Sequence, residues 1–124
     1  MTKKILIAED DILLANTLAT SLKEEGFEVF LAHDGLQGLS LAKKHNPDLI
    51  LCDINMPKMD GISMLKKIRS SDWGKNFNFI MLTNLSDEDK VLEALKNSVF
   101  TYLVKSDWEL DKVVDKIKEN LEEV

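Results

Sequence analysis

Asp48-Leu49-Ile50-Leu51-Cys52-Asp53-Ile54-Asn55-Met56-Pro57-Lys58-Met59-Asp60-Gly61 is the stretch that decides how this chain is read. The apolar run from Leu49 to Cys52 is short enough for a strand and apolar on both faces. Such runs belong in the middle of a parallel sheet covered by helices on each side. Asp53 ends the run, and a turn-rich segment with Pro57 and Gly61 follows. An acid there lies at the carboxyl edge of a central strand, where open α/β sheets place their sites. Taken alone, Asp53 has a simpler account as the acid that caps a turn. Its partners along the chain must decide.

Working outward, short apolar runs alternate with helical patterns. The first run is Ile5 to Ala8, followed by Glu9-Asp10-Asp11 and a helical stripe of Leu14, Leu18 and Leu22 with Ala15 and Ala19. Asp11 has the place of an N-cap and Gly26 that of a terminating glycine. Phe27 to Ala32 is the second run; a helix with Leu36, Leu39 and Ala42 comes next and stops at Asn46-Pro47. After Gly61, a helix turns Met64, Leu65 and Ile68 inward and Lys66, Lys67 and Arg69 outward. The fourth strand is Phe77 to Leu82, ending in Thr83-Asn84, ahead of an acidic helix start at Ser86-Asp87-Glu88-Asp89 and a stripe of Val91, Leu92 and Leu95. The fifth strand, Phe100 to Val104, delivers Lys105. Ser106 to Glu109 has capping-box spacing, and Leu110, Val113, Val114, Ile117 and Leu121 form the last stripe.

This strict alternation with short links predicts a three-layer α/β fold: a parallel five-stranded sheet with helices on both faces. The flavodoxin-like, doubly wound (βα)5 order 2-1-3-4-5 is the natural choice. Residues 1–124 read as one domain, without repeat, linker or low-complexity segment.

Composition narrows the function. With 44% hydrophobic and 31% charged residues, the 124-residue chain reads as a soluble globular protein. No apolar run nears the roughly 20 residues of a membrane helix, so no membrane insertion is expected. Met1-Thr2-Lys3-Lys4 leads straight into a strand without a signal-peptide pattern, making the cytoplasm the expected compartment. The single cysteine, Cys52, excludes an intrachain disulfide and reads as a core thiol. A net charge of −6 argues against direct nucleic-acid binding. Without GxxxxGK[ST] or GxGxxG, a nucleotide cradle is not expected. His33 and His45 lack partners at metal or catalytic spacing and read as surface histidines. Met56 and Met59 read as loop cover, and Trp108 as packing on the fifth strand.

The strand order brings Glu9-Asp10, Asp53, Thr83 and Lys105 to one sheet edge. Three close acids repel one another and call for a cation. Mg²⁺ suits all-oxygen ligands and keeps several waters, and Mn²⁺ fits the same donors. Asp10 and Asp53 are expected to ligate directly, Glu9 through water, and the turn to add the Asn55 backbone carbonyl. A carboxylate can attack phosphorus to form an aspartyl phosphate. The cation on one side and the Lys105 ammonium on the other would offset the phosphoryl charge, with Thr83 donating its hydroxyl. Each residue alone has a bland account as a strand end or cap. Their conjunction favours Asp53 as a phosphoacceptor.

These residues give the chain its resemblance to the receiver domains of two-component response regulators, the chemotaxis-regulator-like fold. The carriers are Ile5 to Asp10, Asp48 to Gly61, Leu82-Thr83 and Tyr102 to Lys105, and the likeness spans essentially the whole chain. The strand order above is that fold's own, so the two are one observation. The resemblance implies Asp53 as phosphoacceptor, Glu9 and Asp10 as the acidic pair serving Mg²⁺, and Thr83 and Lys105 as phosphoryl-binding groups. It implies Tyr102 as an aromatic switch that turns inward when Thr83 moves. It also implies a histidine kinase or histidine phosphotransfer protein as phosphodonor, use of small phosphodonors, and no enzyme activity beyond self-phosphorylation and self-dephosphorylation. A downstream target, or an output domain of a longer protein, would read the face from about Asp87 to Leu121. A homodimer is compatible with the pattern.

Two positions depart from the family. Ser106 stands where receivers usually have proline after a cis peptide. A cis bond before a non-proline residue costs about 2.5–4 kcal/mol, so a trans Lys105–Ser106 bond is expected, with Ser106 capping the last helix. Asn84 replaces a small residue beside Thr83, and Leu85 offers no polar group to orient a hydrolytic water. Slow self-dephosphorylation is the expectation. Two other functions compete. An aspartate-nucleophile phosphatase would carry a second acid where this chain has Asn55. A constitutive scaffold would retain the site without using it, a reading supported only by Asn84 and Ser106.

Overall fold

The computed structural model describes residues 2–84, 87–99, 101–106 and 109–121. Strands β1 (Lys4–Ala8), β2 (Glu28–Ala32), β3 (Leu49–Asp53), β4 (Phe79–Thr83) and β5 (Tyr102–Val104) alternate with helices α1 (Ile12–Glu24), α2 (Gly35–His45), α3 (Gly61–Arg69), α4 (Glu88–Lys96) and α5 (Leu110–Leu121). All strand pairs are parallel, as the alternation predicts, and the order is β2-β1-β3-β4-β5, that of the flavodoxin-like fold.

Strand alternation sorts the core into two layers, because successive side chains leave opposite faces of a strand. Leu6, Ala8, Ile50, Cys52, Phe79 and Met81 pack with Ala42, Met64, Leu65, Ile68 and Ala94 from α2, α3 and α4. Ile5, Ile7, Leu49, Leu51, Ile80 and Leu82 pack with Leu18, Leu22, Val113 and Ile117 from α1 and α5. Every residue of β3 and of β4 is buried, which explains their uninterrupted apolar runs.

Local signals explain the helix ends. Asp11 accepts the Leu14 N–H, and Asp34 and Asp60 accept N–H groups three residues on. Gly26 follows α1 with φ 96°, a backbone state that glycine adopts without strain.

Several details differ from the sequence expectation. The inward face of α2 is carried by Gly35, Gly38 and Ala42, while Leu36 is half exposed. At Gly38 a side chain would collide with Met64 Sδ, so glycine permits close packing of α2 on α3. Arg69 does not simply face solvent: its guanidinium donates to the carbonyls of Lys75, Phe77, Asn97 and Ser98, tying the end of α3 to the segments before β4 and after α4. Of the α4 stripe, Leu92 and Leu95 remain exposed and Val91 is only partly buried; the buried residue of that helix is Ala94, outside the stripe. The last helix starts after Glu109, whose carbonyl accepts the Val113 N–H, so Ser106 does not cap it and lies exposed in the preceding turn. The expectations for Leu85, Ser86, Phe100, Asp107 and Trp108 lie outside the described residues.

Candidate functional site

Register builds the site. Ala8 pairs with Cys52, so Glu9 and Asp53 leave neighbouring strands side by side. Thr83 pairs with Val104, and the Lys105 N–H donates to the Thr83 carbonyl at 2.7 Å, which brings Lys105 back over the sheet edge. The Lys105–Ser106 peptide is trans, as expected; no cis bond occurs among the described residues.

Glu9 and Asp53 are buried, at 0% and 2% exposure, whereas Asp10 is exposed. Lys105 Nζ lies 2.9 Å from Asp53 Oδ2 and 2.9 Å from Glu9 Oε1. The first contact is a hydrogen bond; the second is an ion pair without hydrogen-bond geometry, which leaves Glu9 Oε1 as a buried acceptor lacking a hydrogen-bond donor. Asp53 Oδ1 accepts the Asn55 N–H at 3.3 Å, and Glu9 Oε2 accepts the Asp11 N–H at 3.1 Å.

Burial raises the pKa of Glu9 from 4.5 to about 7, outweighing the lowering by the Asp11 N–H and Lys105. Asp53 is also raised, chiefly by burial, against the lowering by Lys105. Burial would lower Lys105, but the two carboxylates reverse this and its pKa is raised. The Cys52 thiol is pushed up by burial and then by Asp53, so it stays protonated and inert in the core.

One carboxylate oxygen each from Glu9, Asp10 and Asp53 can be found within 4.8 Å of the others. This donor set contains only oxygen, includes an acceptor with no hydrogen-bond donor, and holds two acids reluctant to ionise without a cation. Those features fit Mg²⁺, a hard ion that binds carboxylates and retains waters.

Thr83 and Tyr102 stand apart from that contact. The Thr83 hydroxyl donates to the Leu103 carbonyl at 3.5 Å, and the Tyr102 ring is half exposed. Between α4 and β5 lies an open groove of about 390 Å³, lined by Thr83, Asn84, Glu88, Val91, Leu92, Tyr102 and Val104.

Sequence reasoning missed Asp87. It stands just before α4 yet makes no side-chain cap; a cap there would contribute about 1 kcal/mol. Its buried carboxylate accepts instead from the Asn84 N–H at 2.8 Å and from Asn55 Nδ2 at 3.2 Å. Lys90 Nζ donates to Asn55 Oδ1 at 2.8 Å. A helix-start acid is indistinguishable by sequence from a cap, and only the fold brings Asn55 to it. The histidines are also less free than expected: His33 Nδ1 lies 3.1 Å from the Glu9 carbonyl, and His45 stacks on Phe30.

A doubly wound parallel sheet with an acidic pocket and a lysine at its carboxyl edge defines a flavodoxin-like α/β protein of the chemotaxis-regulator type. The response regulator receiver domain family model matches residues 5–118. The chain belongs to that family, whose members are signalling modules of two-component systems that bind Mg²⁺ at an acidic pocket and work with histidine kinases and with output or target proteins. It is 33% identical to sporulation initiation phosphotransferase F of Bacillus subtilis, covering 98% of this chain and 95% of that protein. It is likewise 33% identical to the chemotaxis protein CheY of Bacillus subtilis, over 98% and 99%. Against the transcriptional regulatory protein ZraR of Klebsiella oxytoca the identity is 39%, over 82% of this chain and 22% of that longer protein. Among solved structures, the chemotaxis response regulator CheY4 of Vibrio cholerae superposes with a TM-score of 0.89 at 28% identity, over 98% of this chain and 100% of that one. Among the described residues no helix is long and apolar enough to cross a membrane.

Proposed function

We propose that the protein is a phosphorylation-controlled switch in which Asp53 is the phosphoacceptor. The observation carrying this reading is a buried carboxylate, 2.9 Å from a lysine ammonium, at the open edge of an acidic pocket. An Asp53 oxygen attacks the phosphorus of a phosphohistidine on a kinase or phosphotransfer protein. The new P–O bond forms as the P–N bond breaks, and the leaving imidazole nitrogen takes a proton. Glu9, Asp10, Asp53 and the Asn55 carbonyl would hold Mg²⁺ or Mn²⁺, which when bound offsets charge on the phosphoryl oxygens. Lys105 neutralises the opposite side, and Thr83 donates its hydroxyl to a phosphoryl oxygen.

For that last contact Thr83 gives up only a long bond to Leu103. Tyr102 then turns inward toward the space Thr83 leaves, and the α4–β5–α5 face changes shape. Exposed Leu92, Leu95 and Tyr102 supply apolar surface for a target on that face. Phosphate acts by shifting a pre-existing equilibrium towards the form the target binds. The expected compartment is the cytoplasm, where kinase and target meet the switch.

Mg²⁺ with beryllofluoride, a phosphoryl mimic, tests the reading. A metal-dependent change in amide resonances in the wild type, absent in Asp53→Asn, is expected. No response in the wild type would instead favour a constitutive scaffold, and turnover of added phosphomonoesters a phosphatase.

A further inference from the structure

Asp87 lies beside the pocket, bonded to Asn55, but has no part of its own in the chemistry above. Asp53 Oδ1 accepts the Asn55 N–H; Asn55 Nδ2 reaches the Asp87 carboxylate at 3.2 and 3.5 Å; Asp87 Oδ2 accepts the Asn84 N–H at 2.8 Å. Asp87 and Asn84 close a reciprocal pair, since the Asp87 N–H donates to the Asn84 carbonyl at 3.0 Å. The Asp87 carbonyl in turn accepts the Val91 N–H, the opening bond of α4. Lys90, one turn into the helix, holds the other end of the same amide. Asn55 is therefore gripped at both its nitrogen and its oxygen by the α4 end of the molecule.

We propose that Asp87 is a positioning residue whose grip on Asn55 links the Asp53 carboxylate to the first turn of α4. This rests on the phosphoacceptor reading of Asp53 and gives that site a second route to the output face, separate from Thr83 and Tyr102. The physical reason is a change of acceptor strength. A carboxylate oxygen accepts a charge-assisted hydrogen bond, and such bonds are about twice as strong as neutral ones. Converting the carboxylate to an acyl phosphate removes the delocalised charge from the carboxyl group, so its oxygens hold the Asn55 N–H less firmly. Asn55 then shifts, and Asp87 and Lys90 carry the shift into α4. Asp87 suits the role because it is buried, has given up the helix cap, and has both donors on loops that bound the pocket.

The link is testable without any phosphoryl group, because Asp53→Asn also removes the carboxylate charge. Hydrogen exchange of the α4 amides from Val91 to Lys96 is measured for the full chain in metal-free buffer, as wild type, Asp53→Asn, Asp87→Ala and the double variant. Asp87→Ala should speed exchange about tenfold, the factor for one charge-assisted hydrogen bond, and Asp53→Asn about threefold. The double variant should be no faster than Asp87→Ala alone, since the route is already cut. Factors that multiply in the double variant, or wild-type exchange in Asp87→Ala, overturn the proposal. Asp87→Asn keeps the volume and one acceptor and should fall between wild type and Asp87→Ala; it replaces Asp87→Ala in the cycle if that variant does not fold. A wild type that ignores beryllofluoride refutes the phosphoacceptor reading alone, because the exchange cycle reads the hydrogen-bond route independently.

Discussion

Replacing Lys105 with methionine exposes the electrostatics of the pocket most directly. Lys105 is 23% exposed and touches two carboxyl groups, Glu9 and Asp53, that are 0% and 2% exposed. Removing one partner of a buried ion pair costs about 3–5 kcal/mol, because the remaining charge is buried without compensation. Solvent reaching the lysine, and the acids' ability to take up a proton, reduce this to about 2–3 kcal/mol near neutral pH. The loss must depend on pH. Glu9 is held at about 7 in the fold against 4.5 as a free side chain, chiefly by burial, so the folded state binds more protons between those values. Stability therefore falls as pH rises through that window, by about 3 kcal/mol for this group. Lys105 lowers both Glu9 and Asp53; without it both rise further and the fall with pH becomes steeper. Urea unfolding of metal-free protein at about pH 5 and about pH 7.5 should show Lys105→Met close to wild type at the lower pH and clearly weaker at the higher. Adding Asp53→Asn to Lys105→Met should recover more than half the loss, because one buried charge goes with it. An equal loss at both pH values would refute this account.

Other outcomes follow from the same geometry. Mg²⁺ added to metal-free protein near pH 6.5 should release protons, because a cation displaces them from Glu9 and Asp53; titration calorimetry in two buffers of different ionisation enthalpy measures the number. Gly61→Ala should destabilise by about 2–3 kcal/mol in thermal unfolding, since its methyl group would press on the Asp53 carbonyl in the site turn. The phosphorylated form should be long-lived, and Leu85→Glu or Leu85→Gln should shorten it, as followed by loss of phosphate from purified protein; an unchanged lifetime argues against the missing polar group as the cause.

Sequence by itself determined whatever depends on neighbours along the chain. Apolar runs and helical stripes located the alternating strands and helices, and Asp11 was legible as a cap because its carboxylate reaches an N–H only three residues on. Strand order then brought Glu9, Asp53 and Lys105 to one edge, where the structure places them in contact. Tertiary structure decided the rest. Glu9 and Asp10 are adjacent in sequence, yet burial separates a carboxyl raised to about 7 from one that faces solvent. Leu92 and Leu95 look like core in a helical stripe, but the packing of α4 leaves both exposed. Asp87 has the pattern of a cap and becomes a partner of Asn55, a residue 32 positions away. Hydrophobic period and capping are short-range and are written in order along the chain. Burial and hydrogen bonds between distant loops depend on which surfaces meet, and that is known only once the sheet has closed over its helices.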